Sequence, residues 1–439
     1  MTMDFFAKSR LGFYAVVACS LRIAARRLAK HGARIGGLRL VHFSGKQPTA
    51  GLALVLLIPI LLSGCARKAT VNLREIPSPT PDGSLDPNLT AGDGGLLLSW
   101  VEPADQGARV LKFARRTPQG WSAPITVYQG SRREDSPSEA PTVVASGSGR
   151  IDAAWTEVSR DSPTEYQEDV FTSTSRDAGE TWSHPELVNQ DHTVSEHGYA
   201  ALAPSGGQAP AVVWLDGRDD KLQHRYRLMT ATVGAPADQQ KILDEDVCTC
   251  CPTALVRTTH NLVAAYRDHT ADNIRDISVV RAVNGQWTSP TDISHDHWRL
   301  AGCPTNGPAL ATDGKRVALA WYTAAADQPL VKVSVSTDEG ATWSEPTLVS
   351  ERPAMGRPSV ALFPDGSALV AWVSVSNRSD PALLARRLAK DGTLGPILGV
   401  GHATSIHGRI KLAATAGEML MTWAEKGSAP SIHIASIQE

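Results

Sequence analysis

A single all-β domain, a closed ring of seven four-stranded units, is predicted by three observations. An eight-residue pattern, S-x-D-x-G-x-T-W, occurs at residues 175–182 and again at residues 336–343, matched each time at all five defined positions. Apolar runs ending in an aromatic recur at residues 96–100, 151–155, 209–214, 262–266, 317–321, 368–372 and 419–423, spaced by about 51 to 59 residues, near the length of a propeller blade. No stretch after the leader sustains a 3.6-residue period, while β-rich runs broken by Gly, Pro, Asn and Asp continue throughout.

Each unit reads as four strands: a short apolar strand, the run ending in the aromatic, a third strand after a polar loop, and a fourth after a turn such as Gly120-Trp121 or Gly285 with Trp287. The eight-residue pattern suits a tight turn. Ser175, Asp177, Ser336 and Asp338 supply side-chain acceptors for backbone N–H groups, Gly179 and Gly340 supply positive φ, and Trp182 and Trp343 wedge between neighbouring sheets. This segment resembles the Asp-box, or BNR repeat, of the sialidase superfamily. There it joins the third and fourth strands of a β-propeller blade, on the face away from the active site. The seventh unit stops after its third strand, around residues 431–437, so residues 70–76 are expected to close it as the outer strand. Six blades, the sialidase number, is the alternative.

Residues 1–64 read as a leader and residues 65–439 as the propeller. The apolar run 51–62 follows Lys46 and ends in Leu62-Ser63-Gly64-Cys65, which looks like a bacterial lipobox and is too short to span a bilayer. Lipidation of Cys65 is expected. Ala66-Arg67-Lys68 carries no Asp beside the lipid, which favours the periplasmic side of the outer membrane. The first 45 residues are long and basic for a signal peptide, and a start near Val41 gives an ordinary leader. The leader holds nine Lys or Arg and one Asp, leaving 34 basic against 44 acidic residues in the mature chain, net −10. That balance argues against nucleic acid as a partner.

In such a ring the innermost strands begin at the rim of the central channel. The residues there are Asp86, Ala140, His197, Cys251, Cys303, Arg357 and His407. Second strands end on the same face, with Glu102, Glu157, Asp216, Arg218, Asp219, Arg267, Asp268, His269 and Tyr322. Solvated loop charges are the plain reading of any one of these; a ligand site is the sharper reading of the set. Ten of the eleven tryptophans fall at positions set by the repeat, and Trp298, in Asp296-His297-Trp298-Arg299, does not. It is a candidate stacking platform for a sugar, the other reading being packing between loops. His197, Asp216, Arg218, Trp298, Arg299, Tyr322 and His407 are the candidate ligand-binding residues.

Cys248, Cys250, Cys251 and Cys303 are the cysteines of the mature chain besides Cys65. In an oxidising periplasm two disulfides are expected, one joining the Cys248 cluster to Cys303 across neighbouring blades. A thiolate site for copper or zinc, with His197 or His407, is the alternative, and no cofactor at all is the default expectation.

The resemblance implies an exo-sialidase chemistry of three arginines on the substrate carboxylate, a Tyr nucleophile with a Glu, and an Asp acid. Arg267, Arg357 and Arg409, Tyr199 with Glu196, and Asp268 or Asp216 are the residues here that match those roles. The family's early Arg-Ile-Pro is replaced by Arg74-Glu75-Ile76-Pro77. The expected function is a lipid-anchored propeller binding a glycan or an envelope protein on its upper face. Sialidase activity, a metal-binding propeller and an assembly scaffold are the alternatives. Neither a Ser-His-Asp arrangement nor a nucleotide fingerprint stands out.

Overall fold

The computed structural model describes residues 71–439 except 106 in its side chain, 131–138, 159–166, 221–224, 378–379, 401–405, 426, 428 and 439, with the side chains of 376–382 also outside the description. The stretch read as a leader, with Cys65 and the segment that looks like a lipobox, lies outside the described residues. Among the described residues no helix is long and apolar enough to cross a membrane.

Seven antiparallel sheets follow one another along the chain. Their innermost strands are Leu85–Gly92, Thr142–Gly147, His197–Ala203, Ala254–Arg257, Ala309–Thr312, Ala354–Leu362 and Ile406–Ala414, in blades 1 to 7. Each innermost strand touches the next, and the seventh meets the first, so the ring is closed. Blade 7 is completed from the other end of the chain. Asn72–Ile76 pairs antiparallel with Ser431–Gln438, Asn72 opposite Gln438 and Ile76 opposite Ile434. Seven blades and the closing strand are thus as the sequence predicts, and Arg74 lies on that closing strand rather than at the rim.

The second strands carry the repeating aromatic because they are covered on both faces by neighbouring blades. Trp100, Trp214, Trp321, Trp372 and Tyr266 are all fully buried. Each such indole removes roughly 150–250 Å² from water, and the inter-blade cores are otherwise filled by Val, Ala, Leu and Ile. In blades 1 and 4 the outer strand is broken in two: Gly120–Trp121 and Ile125–Gly130 both pair with Arg109–Thr117, and Gln286–Trp287 and Thr291–Asp292 both pair with Ile277–Val283. The Gly-Trp signature therefore begins the fourth strand.

Both Asp-boxes form the same turn between third and fourth strands. Asp177 Oδ1 accepts from Ser175 Oγ at 2.7 Å and from Thr181 N at 2.9 Å, while Gly179 N donates to Ser175 Oγ at 2.8 Å. Asp338 repeats this with Ser336 Oγ at 2.8 Å and Thr342 N at 2.9 Å, and Gly340 N donates to Ser336 Oγ at 2.8 Å. Gly179 has φ 96°, and a Cβ there would sit 2.8 Å from Phe113 of blade 1. Trp182 meets the same Phe113 ring edge-on at 6.0 Å, wedging blades 1 and 2 together.

Candidate functional site

Innermost strands begin and second strands end on one face, here called upper; the Asp-boxes close third strands on the opposite face. Most carboxylates at the second-strand ends serve the blade itself. The indole of Trp100 donates to Glu102 at 2.7 Å, that of Trp155 to Glu157 at 2.9 Å, that of Trp214 to Asp216 at 3.0 Å and that of Trp423 to Glu425 at 3.3 Å. A buried indole N–H needs an acceptor, and an acid two residues on, at the same strand face, supplies it. Blade 5 borrows its acceptor, Asp296, from the preceding loop, at 2.9 Å from Trp321 Nε1.

Trp298 is not an open platform. It is 6 % exposed, stands edge-on to Tyr322 at 5.6 Å, and has the Arg267 guanidinium over its ring at 5.0 Å. Arg267 is itself buried and donates to three main-chain carbonyls: Asn306 O at 2.7 Å, Arg275 O at 2.5 Å and Tyr322 O at 2.7 Å. With its donors spent on carbonyls from blades 4 and 5, it is a junction between blades and has no free fork for a substrate carboxylate. Arg299 is exposed and 3.9 Å from the Asp272 carboxylate.

His197 is fully buried within a cage of acids. Its Nε2 lies 3.4 Å from Asp191 and 3.6 Å from Asp216, and its Nδ1 lies 3.6 Å from Asp169 and 3.2 Å from the Glu168 carbonyl. Burial alone would push the imidazole down, but Asp169, Asp191 and Asp216 outweigh it and raise the histidine to about 9. One donor atom each from Asp191, His197 and Asp216 lie within 4.8 Å of one another, a spacing that suits a metal. Arg218 already occupies that role. Its Nε and Nη2 each donate to an Asp216 oxygen at 2.7 Å, so the acids are balanced by a guanidinium and an imidazolium. His197, held in blade 3 beside Asp216 and Arg218, therefore joins blade 3 to blade 2 through Asp169 and the Glu168 carbonyl. Because folding favours protonated His197, its stabilisation is full below the ordinary 6.5 and is lost as pH rises through about 9. Thermal unfolding should show midpoints falling across that window, and His197→Gln should flatten that fall; parallel curves for the two proteins would reject the assignment.

Glu196 accepts a hydrogen bond from the Tyr226 hydroxyl at 2.8 Å. Burial, with Glu139 and Asp220 nearby, holds Glu196 up at about 7 despite that hydrogen bond. Tyr226 is 6 % exposed, and burial beside Glu196 raises its hydroxyl. Tyr199 has φ 55° and directs its N–H to Glu139 Oε1 at 2.5 Å. Asp268 is raised to about 7 by burial first and by Asp244, Asp292 and Asp246 after it. Its neighbour His269 bonds Asp246 at 2.7 Å.

The cations of blades 6 and 7 are arranged differently. Arg357 (φ 54°) is held by its N–H to Asn306 Oδ1 at 2.7 Å and by Nη1 to the carbonyls of Ile406 at 3.0 Å and Gly408 at 2.9 Å. Arg409 and Lys411 lie two residues apart on the innermost strand of blade 7, where the register with the next strand shifts between His407 and Lys411, and they alternate with the buried Ile410 and Leu412. Both are half-buried, and among the described residues neither side chain makes a hydrogen bond or an ion pair. Burial pushes Arg409 down to about 10, with Glu139 pulling the other way. Burial first, and Arg409 second, push the Lys411 ammonium well below the lysine range. His407, half-buried, is the second residue of the same strand.

The four cysteines lie together in the loops leading into blades 4 and 5. Cys248 pairs with Cys251 and Cys250 with Cys303, at Cα separations of 5.7 and 6.2 Å. The expected link across blades runs through Cys250. Among the described residues no histidine joins the cluster, and His197 stands in its acidic cage. A cleft lined by Arg109, Tyr128, Trp155 and Glu157 lies between blades 1 and 2, away from the blade 6 and 7 cations.

Sequence reading missed Tyr226, Glu139 and Lys411. Glu139 stands one residue before the rim position read as Ala140, and Lys411 is two residues along the strand from Arg409.

No protein-family model matches the chain, and no curated protein matches it in sequence. Solved structures similar to it include the NanB sialidase of Streptococcus pneumoniae, with TM-score 0.44, 11% identity and coverage of 81% of this chain and 68% of that one. The intramolecular trans-sialidase of Ruminococcus gnavus gives TM-score 0.44, 10% identity and coverage of 81% and 94%. The α-L-arabinanase of Penicillium chrysogenum gives TM-score 0.44, 13% identity and coverage of 81% and 93%. On its own architecture, a closed ring of seven blades in which the S-x-D-x-G-x-T-W turn is formed twice by the same hydrogen bonds, the chain is a seven-bladed β-propeller.

Proposed function

We propose that this chain is a lipid-anchored envelope propeller, tethered through Cys65, that binds a carboxylate-bearing glycan at the channel mouth beside Arg409 and Lys411. The observation that carries the reading is a pair of half-buried cations that make no side-chain hydrogen bond or ion pair among the described residues, with Glu139 acting on Arg409 only through its charge. A desolvated cation without a counter-charge costs free energy, and an anionic ligand supplies what is lacking. Arg357, on the neighbouring innermost strand, adds a third cation to the same sector. Binding without turnover is what this arrangement favours, because Tyr226, the tyrosine beside Glu196, is buried.

Every described strand lies between residues 72 and 438, so the segment from residue 66 onward contains the whole ring. That segment, exported to the periplasm, should bind sialic acid or a uronic acid in calorimetry, and Arg409→Ala should weaken binding by at least about tenfold, the worth of roughly 1.4 kcal/mol. An anion also restores the protonated form of Lys411, so binding should take up a proton and weaken as pH rises. Equal affinity of parent and Arg409→Ala, or no binding of any acidic sugar, would remove the reading. Release of sugar from a sialoside, lost in Glu196→Gln, would put the hydrolase alternative in its place.

A further inference from the structure

We infer that Cys248, Cys250, Cys251 and Cys303 form one tetrathiolate centre that, once reduced, holds a single soft cation of the zinc or copper(I) class, the two disulfides being its oxidised state. The four Sγ atoms all lie within 4.8 Å of one another. Two structural disulfides require only that each sulfur be near its own partner; they do not require the pairs to meet. A tetrahedral site with metal–sulfur bonds of about 2.3 Å needs sulfurs roughly 3.8 Å apart, which this cluster meets with small adjustments.

The chain assembles the cluster from two successive blade junctions. Cys248, Cys250 and Cys251 follow the outer strand of blade 3 (Lys241–Val247) and lead into blade 4, and Cys303 lies in the loop between blades 4 and 5. Cys248 is fixed by its own N–H, which donates to Arg267 O at 3.0 Å. The cluster has a closed side and an open one. Cys248 and Cys251 are buried, Cys250 is half-buried and Cys303 is exposed, so reductant and metal both arrive at the Cys250–Cys303 pair. A centre of four sulfurs without histidine or carboxylate selects soft, thiophilic ions over magnesium or calcium.

The chemistry balances. Two equivalents of a dithiol reductant give up four electrons and four protons, each becoming a disulfide, and the protein's two disulfides become four thiols. Binding of the cation then displaces the four thiol protons to solvent, so affinity should increase with pH.

The test uses the segment from residue 66 onward, reduced with a phosphine under argon and titrated with zinc alone. One zinc per chain is expected, seen as an adduct in native mass spectra that disappears on denaturation, and the disulfide form should take up none. Cobalt(II) in place of zinc should give the thiolate-to-metal charge-transfer bands of an all-sulfur site. Cys303→Ser, at the exposed position, should weaken zinc binding by at least a hundredfold while circular dichroism remains that of the parent. Should Cys303→Ser misfold, X-ray absorption of the zinc-loaded parent decides instead: four sulfur neighbours support the centre, and nitrogen or oxygen neighbours overturn it. Failure of the reduced parent to bind zinc or copper(I) stoichiometrically also overturns it.

Discussion

A chain lacking residues 71–76 should lose most of its resistance to urea and should associate through blade 7. The closing strand does three things at once. It pairs five residues with Ser431–Gln438, brings Glu75 within 2.6 Å of His433, and places Val71 in the core between blades 6 and 7 and Ile76 against the core between blades 7 and 1. Removing buried aliphatic side chains of this kind costs about 2–5 kcal/mol apiece. The net stability of a domain is only ~5–15 kcal/mol, so the deletion consumes a large share of it. The exposed strand then presents unpaired N–H and C=O groups to any other chain. Urea unfolding followed by tryptophan fluorescence, with light scattering of the native sample, measures both effects. A synthetic peptide of residues 70–77 added in trans should restore the monomer. A deletion protein with the parent's midpoint and mass would show that the ring holds without its clasp.

Lys411→Met should make the protein more stable while abolishing binding of an acidic ligand. An ammonium that serves only the fold has a partner, and its removal is costly; Lys411 has none among the described residues. At neutral pH the folded protein must either bury the charge or give up the proton, and the unfolded chain does neither. Replacing it with an apolar chain of similar length removes that cost, for an expected gain of about 0.5–2 kcal/mol. The sign with pH follows from linkage. A base whose folded value is depressed leaves the unfolded state holding more protons, so the parent gains stability as pH rises toward 10.5. The advantage of Lys411→Met should therefore shrink over the same range. A destabilised Lys411→Met that still binds would assign the lysine to the framework.

The fold was legible because its devices repeat. An Asp-box needs a particular Ser, Asp, Gly and Trp to satisfy one turn, and aromatics recurring at blade-length intervals are buried only if successive blades stack on one another. The acids at the second-strand ends were legible as residues and not as acceptors, although Trp-x-acid recurs at Trp100, Trp155, Trp214 and Trp423. For Trp298 both readings, a stacking platform and packing between loops, stayed open for a related reason, and its contacts are those of packing. Lying outside the repeat says that a residue is in a loop; burial in that loop depends on Arg267 and Tyr322, which arrive from other parts of the sequence. Arg267 likewise has the composition of a clamp and the hydrogen bonds of a brace. Sequence spacing along one strand, as for Arg409 and Lys411, carries the information that loops withhold.

The register of the clasp also sets the face at which the chain enters the ring. Asn72 pairs with Gln438, at the Asp-box end of blade 7, and the strand climbs from there to Ile76. Val71, the first described residue, therefore lies toward the Asp-box face. The clasp thus enters the ring at the face opposite the one on which innermost strands begin, so the first and last residues of the ring meet away from the end of blade 7 where His407 lies.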